Sequence, residues 1–209
     1  QDLDEPARGR PAAVRPAGRR VLVAADRAAA VALERGVAHG FVNLGGDVRL
    51  FGPHPDGSPW IVGIVHPRKP GRTIASVART SGALATSGDY ERYFEANGRR
   101  YCHILNPRTG YPVSGLQSAS VAAPLCLVAG SLTTVAMLKE EAGGEFLDGQ
   151  PYPSVRVDAQ GAVIPREPAR SDVEAEMHHV AVAHDVLPPL ESHLPVLLRP
   201  VLALECDVI

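Results

Sequence analysis

The sequence predicts an α+β domain with a mostly antiparallel sheet and two main helices. Short strand-like runs recur between glycine, proline and asparagine turns, which is the pattern of sheets built from hairpins. Helical spacing of apolar residues is sustained in only two segments. With 209 residues, of which 45% are hydrophobic, the chain is long enough to bury one good core.

The first helix is predicted over residues 24–35, where apolar positions follow helical spacing and the other residues are good helix formers. Gly36 follows at the C′ position, where helices commonly turn into a left-handed conformation. Residues 1–20 are rich in Arg, Pro, Ala and Gly and show no periodicity. We therefore interpret them as a disordered or remnant segment.

The segment after the first helix alternates between strand-like runs and turns. Asn97-Gly98 is a dipeptide favoured in two-residue hairpin turns, and Gly45-Gly46 separates the first two runs. Strands are predicted over residues 40–44, 48–51, 60–65, 73–80, 90–96, 99–105 and 118–123.

The second long helix is predicted over residues 126–139, whose apolar residues nearly encircle it and therefore predict burial. Residues 155–158 and 162–164 then form a terminal hairpin around Gln160-Gly161. Beyond this hairpin the pattern decays. The expected organisation is the remnant segment at 1–20, one folded domain at 21–165 and an irregular tail at 166–209.

Composition excludes several classes of protein. A formal charge of −2 gives no general attraction to nucleic acid, and no apolar run is long enough for a transmembrane helix. The chain starts at Gln1 without an apolar signal region. Cys102, Cys126 and Cys206 are odd in number and lack CxxC spacing, which predicts buried thiols rather than disulfides or zinc ligands.

Two glycine-containing turns are candidate ligand contacts. The segment Asn43–Asp47 lacks dinucleotide-fingerprint spacing and does not open a helix. It is either a tight bend or a place where backbone amides approach a phosphate or ring. Ser87-Gly88-Asp89 is either an ordinary Asx turn or a turn whose amides and hydroxyl hold a ligand oxygen.

His103 is the candidate base. A histidine on a strand is more often structural, but this one is followed by the turn Asn106–Gly110, which favours function. Imidazoles titrate near neutral pH and can take a proton from a hydroxyl. Thr133 and Thr134 either bond back to the preceding helical turn or ligate Mg²⁺, although no Asp or Glu occurs between Val113 and Lys139.

Four blocks, in this order, resemble the ApbE family of FAD:protein FMN transferases. They are GFVNLGGDVRLFG, PWIVGIVHPR, TSGDYERYFEANGRRYCHILNPRTGYPV and AGSLTTVAMLK, and the likeness covers about residues 24–164. The resemblance implies a T-fold-like domain that uses Mg²⁺ to split FAD. It further implies that FMN is attached to a Thr or Ser hydroxyl of an acceptor protein with release of AMP, or that FAD is hydrolysed. Family members are typically exported, which implies a periplasmic or cell-envelope location.

The resemblance also implies roles for individual residues. His103 would be the base or a group close to it, and Thr134 would ligate Mg²⁺ together with the residue at the position of Gly130. The flavin nucleotide site would be lined by Asn43, Gly45, Gly46, Asp47, Ser87, Gly88, Asp89, Pro107, Thr109 and Gly110.

The chain departs from the family pattern in ways that bear on activity. Gly130 occupies the position of an Asp that holds Mg²⁺ in the family, and Asn106 replaces another Asp. The family's Gly-x-x-Lys-Gly run is not found at residues 19–23, and the chain resembles an N-terminally truncated member. The alternatives are therefore a non-catalytic flavin-binding protein or an inactive truncated member. We expect Gly130→Asp to raise Mg²⁺-dependent cleavage of FAD.

Overall fold

The computed structural model describes residues 17–167 and 180–182. Three layers are stacked: a six-stranded sheet carries helices on one face and a three-stranded sheet on the other. Every strand ladder in the described part is antiparallel. The predicted α+β class with a mostly antiparallel sheet is therefore confirmed.

Three α-helices, one short 3-10 helix (Glu140–Ala142) and eleven strands make up the described elements. The helices are α1 (Ala17–Glu34), α2 (Cys126–Leu138) and α3 (Gly143–Asp148). The strands are β1 (Gly40–Leu44), β2 (Asp47–Phe51), β3 (Trp60–Val65), β4 (Thr73–Arg79), β5 (Gly82–Gly88), β6 (Tyr93–Ala96), β7 (Arg99–Cys102), β8 (Leu116–Ala123), β9 (Ser154–Asp158), β10 (Val163–Arg166) and β11 (Val180–Val182). The sheets are β1-β2-β5-β8-β9-β10, β11-β4-β3 and the hairpin β6-β7.

The helical face of the large sheet is lined by small side chains, which lets α2 lie close against it. α2 packs on β5 and β8, and α1 packs on α2, β1 and β2. Alternate residues of β5 and β8 point at the helices, since residues on one face of a strand recur every two positions. They include Ala83, Ala85, Ala119, Val121 and Ala123.

The opposite face of the large sheet packs on β3 and β4. Leu84 and Ala122 point this way from β5 and β8, and they meet Ile64 and Val77 of the smaller sheet. The sheet is thus buried on both faces at its centre. β5 lies between β2 and β8. β8 pairs with residues 83–88 of β5, and β2 pairs only with residues 82–84.

Two predicted turns are confirmed in detail. Gly36 has φ +83°, and Val37 N–H donates to Ala32 O at 3.0 Å, which is the Schellman ending of a helix. Asn97 and Gly98 have φ of 50° and 72°, the left-handed values that a type I′ hairpin turn requires.

The structure corrects three predictions. α1 begins at Ala17, so residues 17–20 are helical, while residues 1–16 lie outside the described part. Residues 180–182 form a strand against β4, although we expected an irregular tail there. Ser87 and Gly88 belong to β5 rather than to a turn. The small residues of β5 give weak strand propensity, and its pairing on both sides decides its conformation.

The end of one strand and the burial of one helix also differ from the prediction. β7 ends at Cys102, so His103 is the first residue after the strand instead of a member of it. α2 is buried on one side, but Ser131, Thr134 and Val135 are exposed, so the prediction that it is apolar nearly all round is wrong for that stripe. The exposed stripe of α2 carries one of the predicted site residues.

Candidate functional site

The bend between β1 and β2 presents bare backbone. Gly45 and Gly46 have φ of +65° and +92°, and a Cβ added at either would meet nothing within 4 Å. Gly46 N–H donates to Asn43 Oδ1 at 3.1 Å, which fixes the bend from inside. A ligand can approach this backbone more closely than any side chain would allow.

Asp47 ties the bend to the middle of the sheet. Its carboxylate accepts a hydrogen bond from the backbone N–H of Thr86 on β5. Burial raises the pKa of Asp47 to about 6, an effect that the Thr86 bond partly offsets. The Asp47 carboxylate is therefore already hydrogen-bonded within the sheet, and burial disfavours its ionised form.

Three hydroxyls meet where β5 runs beneath α2. Ser87 Oγ lies 2.9 Å from Thr133 Oγ1 and 3.4 Å from Thr134 Oγ1. Thr133 is fully buried and its hydroxyl donates to Gly130 O at 3.1 Å, which confirms back-bonding for this residue. Thr133 thus accepts from Ser87, and the hydroxyl of the exposed Thr134 donates to Ser87 Oγ.

Gly88 and Asp89 end β5 in a packed position. A Cβ at Gly88 would collide with the ring of Tyr90, which explains the glycine. Both carboxylate oxygens of Asp89 accept from Arg68 at 2.6 Å, and Arg100 lies 3.9 Å away. Asp89 joins the basic turn after β3 to the β6-β7 hairpin.

His103 has a defined tautomer. Its backbone N–H donates to Arg92 O at 3.0 Å, and its ring Nδ1 lies 3.2 Å from the same oxygen. Because a carbonyl only accepts, Nδ1 must carry the proton. Nε2 of the neutral ring is then left with a lone pair, on an exposed side chain.

The loop that follows His103 is held by its own hydrogen bonds. Asn106 N–H donates to Tyr111 O and Gly110 N–H donates to Asn106 O, both at 2.8 Å. The side chains of Asn106 and Thr109 accept backbone N–H groups of the same loop. Gly110 has φ +73°, and Pro107 is exposed. This loop is preformed and needs no ligand to shape it.

Contacts join most of the predicted residues, though by two routes. Asp47 reaches Thr86, and the next residue, Ser87, reaches Thr133 and Thr134. The loop after His103 connects through the core instead, where Ile104 packs on the same cluster as Leu44. Hydrogen bonds therefore connect the glycine bend to α2 through β5, and the loop shares only the apolar core with them.

Sequence reasoning missed the residue that positions α2. The Asp26 carboxylate of α1 accepts from Cys126 N–H at 2.9 Å and Leu127 N–H at 3.0 Å, and Arg49 Nε lies 3.3 Å away. The N-cap residue Leu125 has no capping side chain, so Asp26 satisfies these donors from another helix. The apolar stretch before α2, without a Ser, Thr, Asp or Asn cap, is the only sequence signal for this.

Residues 22–155 match the model of the ApbE family. The chain belongs to the ApbE family. A FAD:protein FMN transferase of Vibrio cholerae is 38% identical over 112 residues, which are 53% of this chain and 34% of that protein. One from Rhodobacter capsulatus is 42% identical over 98 residues, 47% of this chain and 18% of that protein. The chain thus spans a third or less of the length of these relatives.

Solved ApbE structures share the fold. The ApbE protein of Thermotoga maritima superimposes with a TM-score of 0.66 at 39% identity, covering 72% of this chain and 50% of that one. The flavin transferase ApbE of Vibrio cholerae gives 0.55 at 27% identity, covering 71% and 48%. The likeness to ApbE proteins is therefore confirmed by fold as well as by sequence.

The Mg²⁺ that the family resemblance implies does not fit the residues present. Gly130 offers no ligand, and the space beside it is filled by Leu22. Within residues 17–167 and 180–182 no three His, Cys, Asp or Glu side chains converge as a metal site would need. Mg²⁺ sites in proteins normally use one or two carboxylates, so Thr134 alone does not make one.

In the same part of the chain no helix has the length and apolar character to cross a bilayer.

Proposed function

We propose that this chain is the flavin-nucleotide part of a FAD:protein FMN transferase, which moves FMN from FAD to a Thr or Ser hydroxyl of an acceptor protein and releases AMP. The observation that supports this most is the bare bend at Gly45 and Gly46, because the next residue, Asp47, accepts from the N–H of Thr86, and Thr86 precedes Ser87 of the hydroxyl cluster. The names of the relatives point to the same reaction.

The bend supplies the binding part of the proposal. A glycine bend lets an anion approach the backbone more closely than a side chain would allow, and the pyrophosphate of FAD is such an anion. Asn43 and Asp47 would hold the bend, while Ser87 adds a hydroxyl beside it. Pro107, Thr109 and Gly110 would form the facing wall, which their own loop already holds in place.

The reaction needs one proton acceptor. The acceptor hydroxyl oxygen bonds to the phosphorus of the FMN half, and the bond from that phosphorus to the AMP oxygen breaks. The hydroxyl proton goes to Nε2 of His103, whose other nitrogen is already bonded to Arg92 O. Phosphoryl transfer asks chiefly for positioning and charge stabilisation, so a fixed imidazole and a preformed loop are suitable parts.

The chain itself would supply few ligands to a Mg²⁺ ion bound with FAD. Of the predicted pair at positions 130 and 134, only Thr134 has a side-chain oxygen to offer. The remaining ligands would have to be pyrophosphate oxygens and water. No step above depends on the cation.

A second candidate is a flavin-binding protein without turnover. It is favoured by the covered position at Gly130 and by the carboxylates of Asp26, Asp47 and Asp89 being engaged elsewhere. Such a protein keeps the bend and the loop but releases no AMP.

Incubation of the purified chain with FAD and Mg²⁺ tests these candidates. A transferase or hydrolase releases AMP, which chromatography detects, and a binding protein retains intact FAD without AMP. Flavin fluorescence measures binding in the same samples. Failure to bind FAD at all would contradict both candidates.

A further inference from the structure

α1 and α2 meet through a large residue and a small one. A Cβ added to Gly130 would lie 2.5 and 2.6 Å from the two methyl carbons of Leu22 and 3.1 Å from its Cγ. Leu22 is 7% exposed and belongs to the core on the helical face of the sheet. The Leu22 side chain therefore occupies the space into which any side chain at position 130 would extend.

Thr134 lies one helical turn beyond Gly130 on nearly the same face, since positions four apart stack along a helix. It is exposed, and Gly130 is buried under Leu22. A carboxylate at position 130 would thus point toward the neighbourhood of the Thr134 hydroxyl, but only in the volume that Leu22 fills.

The other carboxylates of this region are already bound. Asp26 accepts the first N–H groups of α2, Asp47 accepts the N–H of Thr86, and Asp89 pairs with Arg68 through both oxygens. None of these acids is available to replace the missing one without breaking a contact of the fold.

We propose that Leu22 and Gly130 form one packing unit, here called the Leu22–Gly130 pair, which takes the place of a carboxylate beside Thr134. The chain by itself consequently binds divalent cations only weakly at this site. This inference deepens the proposed function and rests on it for the location of the site. It also changes the expectation for Gly130→Asp, which gains a cation site only when Leu22 is shortened as well.

A stability experiment tests the packing half of the proposal. Gly130→Ala gains helix propensity in any background, and in the parent chain it must also displace the Leu22 methyl groups. Its effect on the melting temperature should therefore be less favourable by about 4 °C in the parent chain than in the Leu22→Ala background, where those methyl groups are absent. Gly149→Ala is a matched control, since the nearest atoms to a Cβ there are at 3.6 and 3.8 Å. Equal effects in both backgrounds would overturn the pair.

A cation experiment tests the functional half. Mn²⁺ is titrated into the full chain without nucleotide, and bound Mn²⁺ is followed by electron paramagnetic resonance. We expect Leu22→Ala/Gly130→Asp to bind Mn²⁺ about tenfold tighter or more than the parent chain, and Gly130→Asp alone to gain clearly less. Adding Thr134→Val to the double variant should remove the gain.

Three results would overturn the proposal. They are tight Mn²⁺ binding by the parent chain that Thr134→Val abolishes, no gain in the double variant, and an equal gain from Gly130→Asp alone. FAD affinity, measured on the same proteins without metal, reports separately on the proposed function. A chain that fails to bind FAD but shows the expected Mn²⁺ pattern would sink the function and leave the packing inference standing.

Discussion

The contact between α1 and α2 and the loop over residues 103–112 use polar groups in opposite ways. In the helix contact, the Asp26 side chain is 14% exposed, accepts from two backbone N–H groups and forms an ion pair with Arg49. In the loop, His103 is exposed and one ring nitrogen stays free of the bond to Arg92. The helix contact therefore fixes the position of α2, and the loop keeps a side-chain nitrogen available for chemistry.

The largest effect is expected from Asp26→Ala. It would leave the charge of Arg49, 17% exposed, without its partner and the N–H groups of Cys126 and Leu127 without an acceptor. Removing one member of a buried pair typically costs about 3–5 kcal/mol, and urea unfolding would measure it.

Glu34→Ala on the same helix is the control for Asp26. Glu34 pairs with Arg27, and the two side chains are 59% and 66% exposed. Exposed pairs of this kind contribute about 1 kcal/mol or less. If Glu34→Ala lowered the free energy of unfolding as much as Asp26→Ala, burial of the Asp26 contacts would not be the cause of the loss.

The second effect is on catalysis. His103→Ala should reduce transfer of FMN, or AMP release, about 100-fold or more, while the free energy of unfolding changes by less than about 0.5 kcal/mol. FAD binding should remain largely intact. The exposed His39 supplies a matched control, His39→Ala, which should alter neither property. Retained transfer in His103→Ala would remove this histidine from the mechanism.

The third effect is a dependence of stability on pH. Burial raises the pKa of Asp47 from 3.8 to about 6, so between these values the folded chain binds more protons than the unfolded one. Stability therefore falls as the pH rises through this window. Asp47→Asn keeps an oxygen for the Thr86 N–H and loses the charge. It should gain up to about 3 kcal/mol at pH 7, and the dependence of the melting temperature on pH between 4 and 7 should weaken.

A smaller effect is expected at Asp89, which lies outside both regions. Asp89→Ala breaks the pair with Arg68, whose side chain is 32% exposed, and should cost about 1 kcal/mol. The cost should shrink in high salt, because screening weakens the pair that is lost. An unchanged cost in high salt would contradict an electrostatic contribution from the Asp89–Arg68 pair.

Local patterns were sufficient for much of the fold. The Asn97-Gly98 hairpin, the Gly36 helix end and the run of antiparallel strands are all encoded by neighbouring residues. β5 was missed because its small residues give no local signal, and its place at the centre of the sheet comes from β2 and β8.

The site was predictable as a set of motifs rather than as geometry. His103 and the glycine bend can be recognised in the sequence from residue type and spacing. Asp26 and Leu22 do not, because their partners at Cys126 and Gly130 lie about a hundred residues away. Contacts of that range depend on how α1 crosses α2, which no local pattern contains.

Binding of a flavin nucleotide against the bare backbone at Gly45 can be tested with one matched pair of variants. Gly45 and Gly36 have φ of +65° and +83°, with open space where a Cβ would stand, and asparagine tolerates such φ values. They lie beyond opposite ends of β1. FAD titration followed by flavin fluorescence should show at least about tenfold weaker binding for Gly45→Asn and no change for Gly36→Asn. Equal affinity in the two variants would contradict the account.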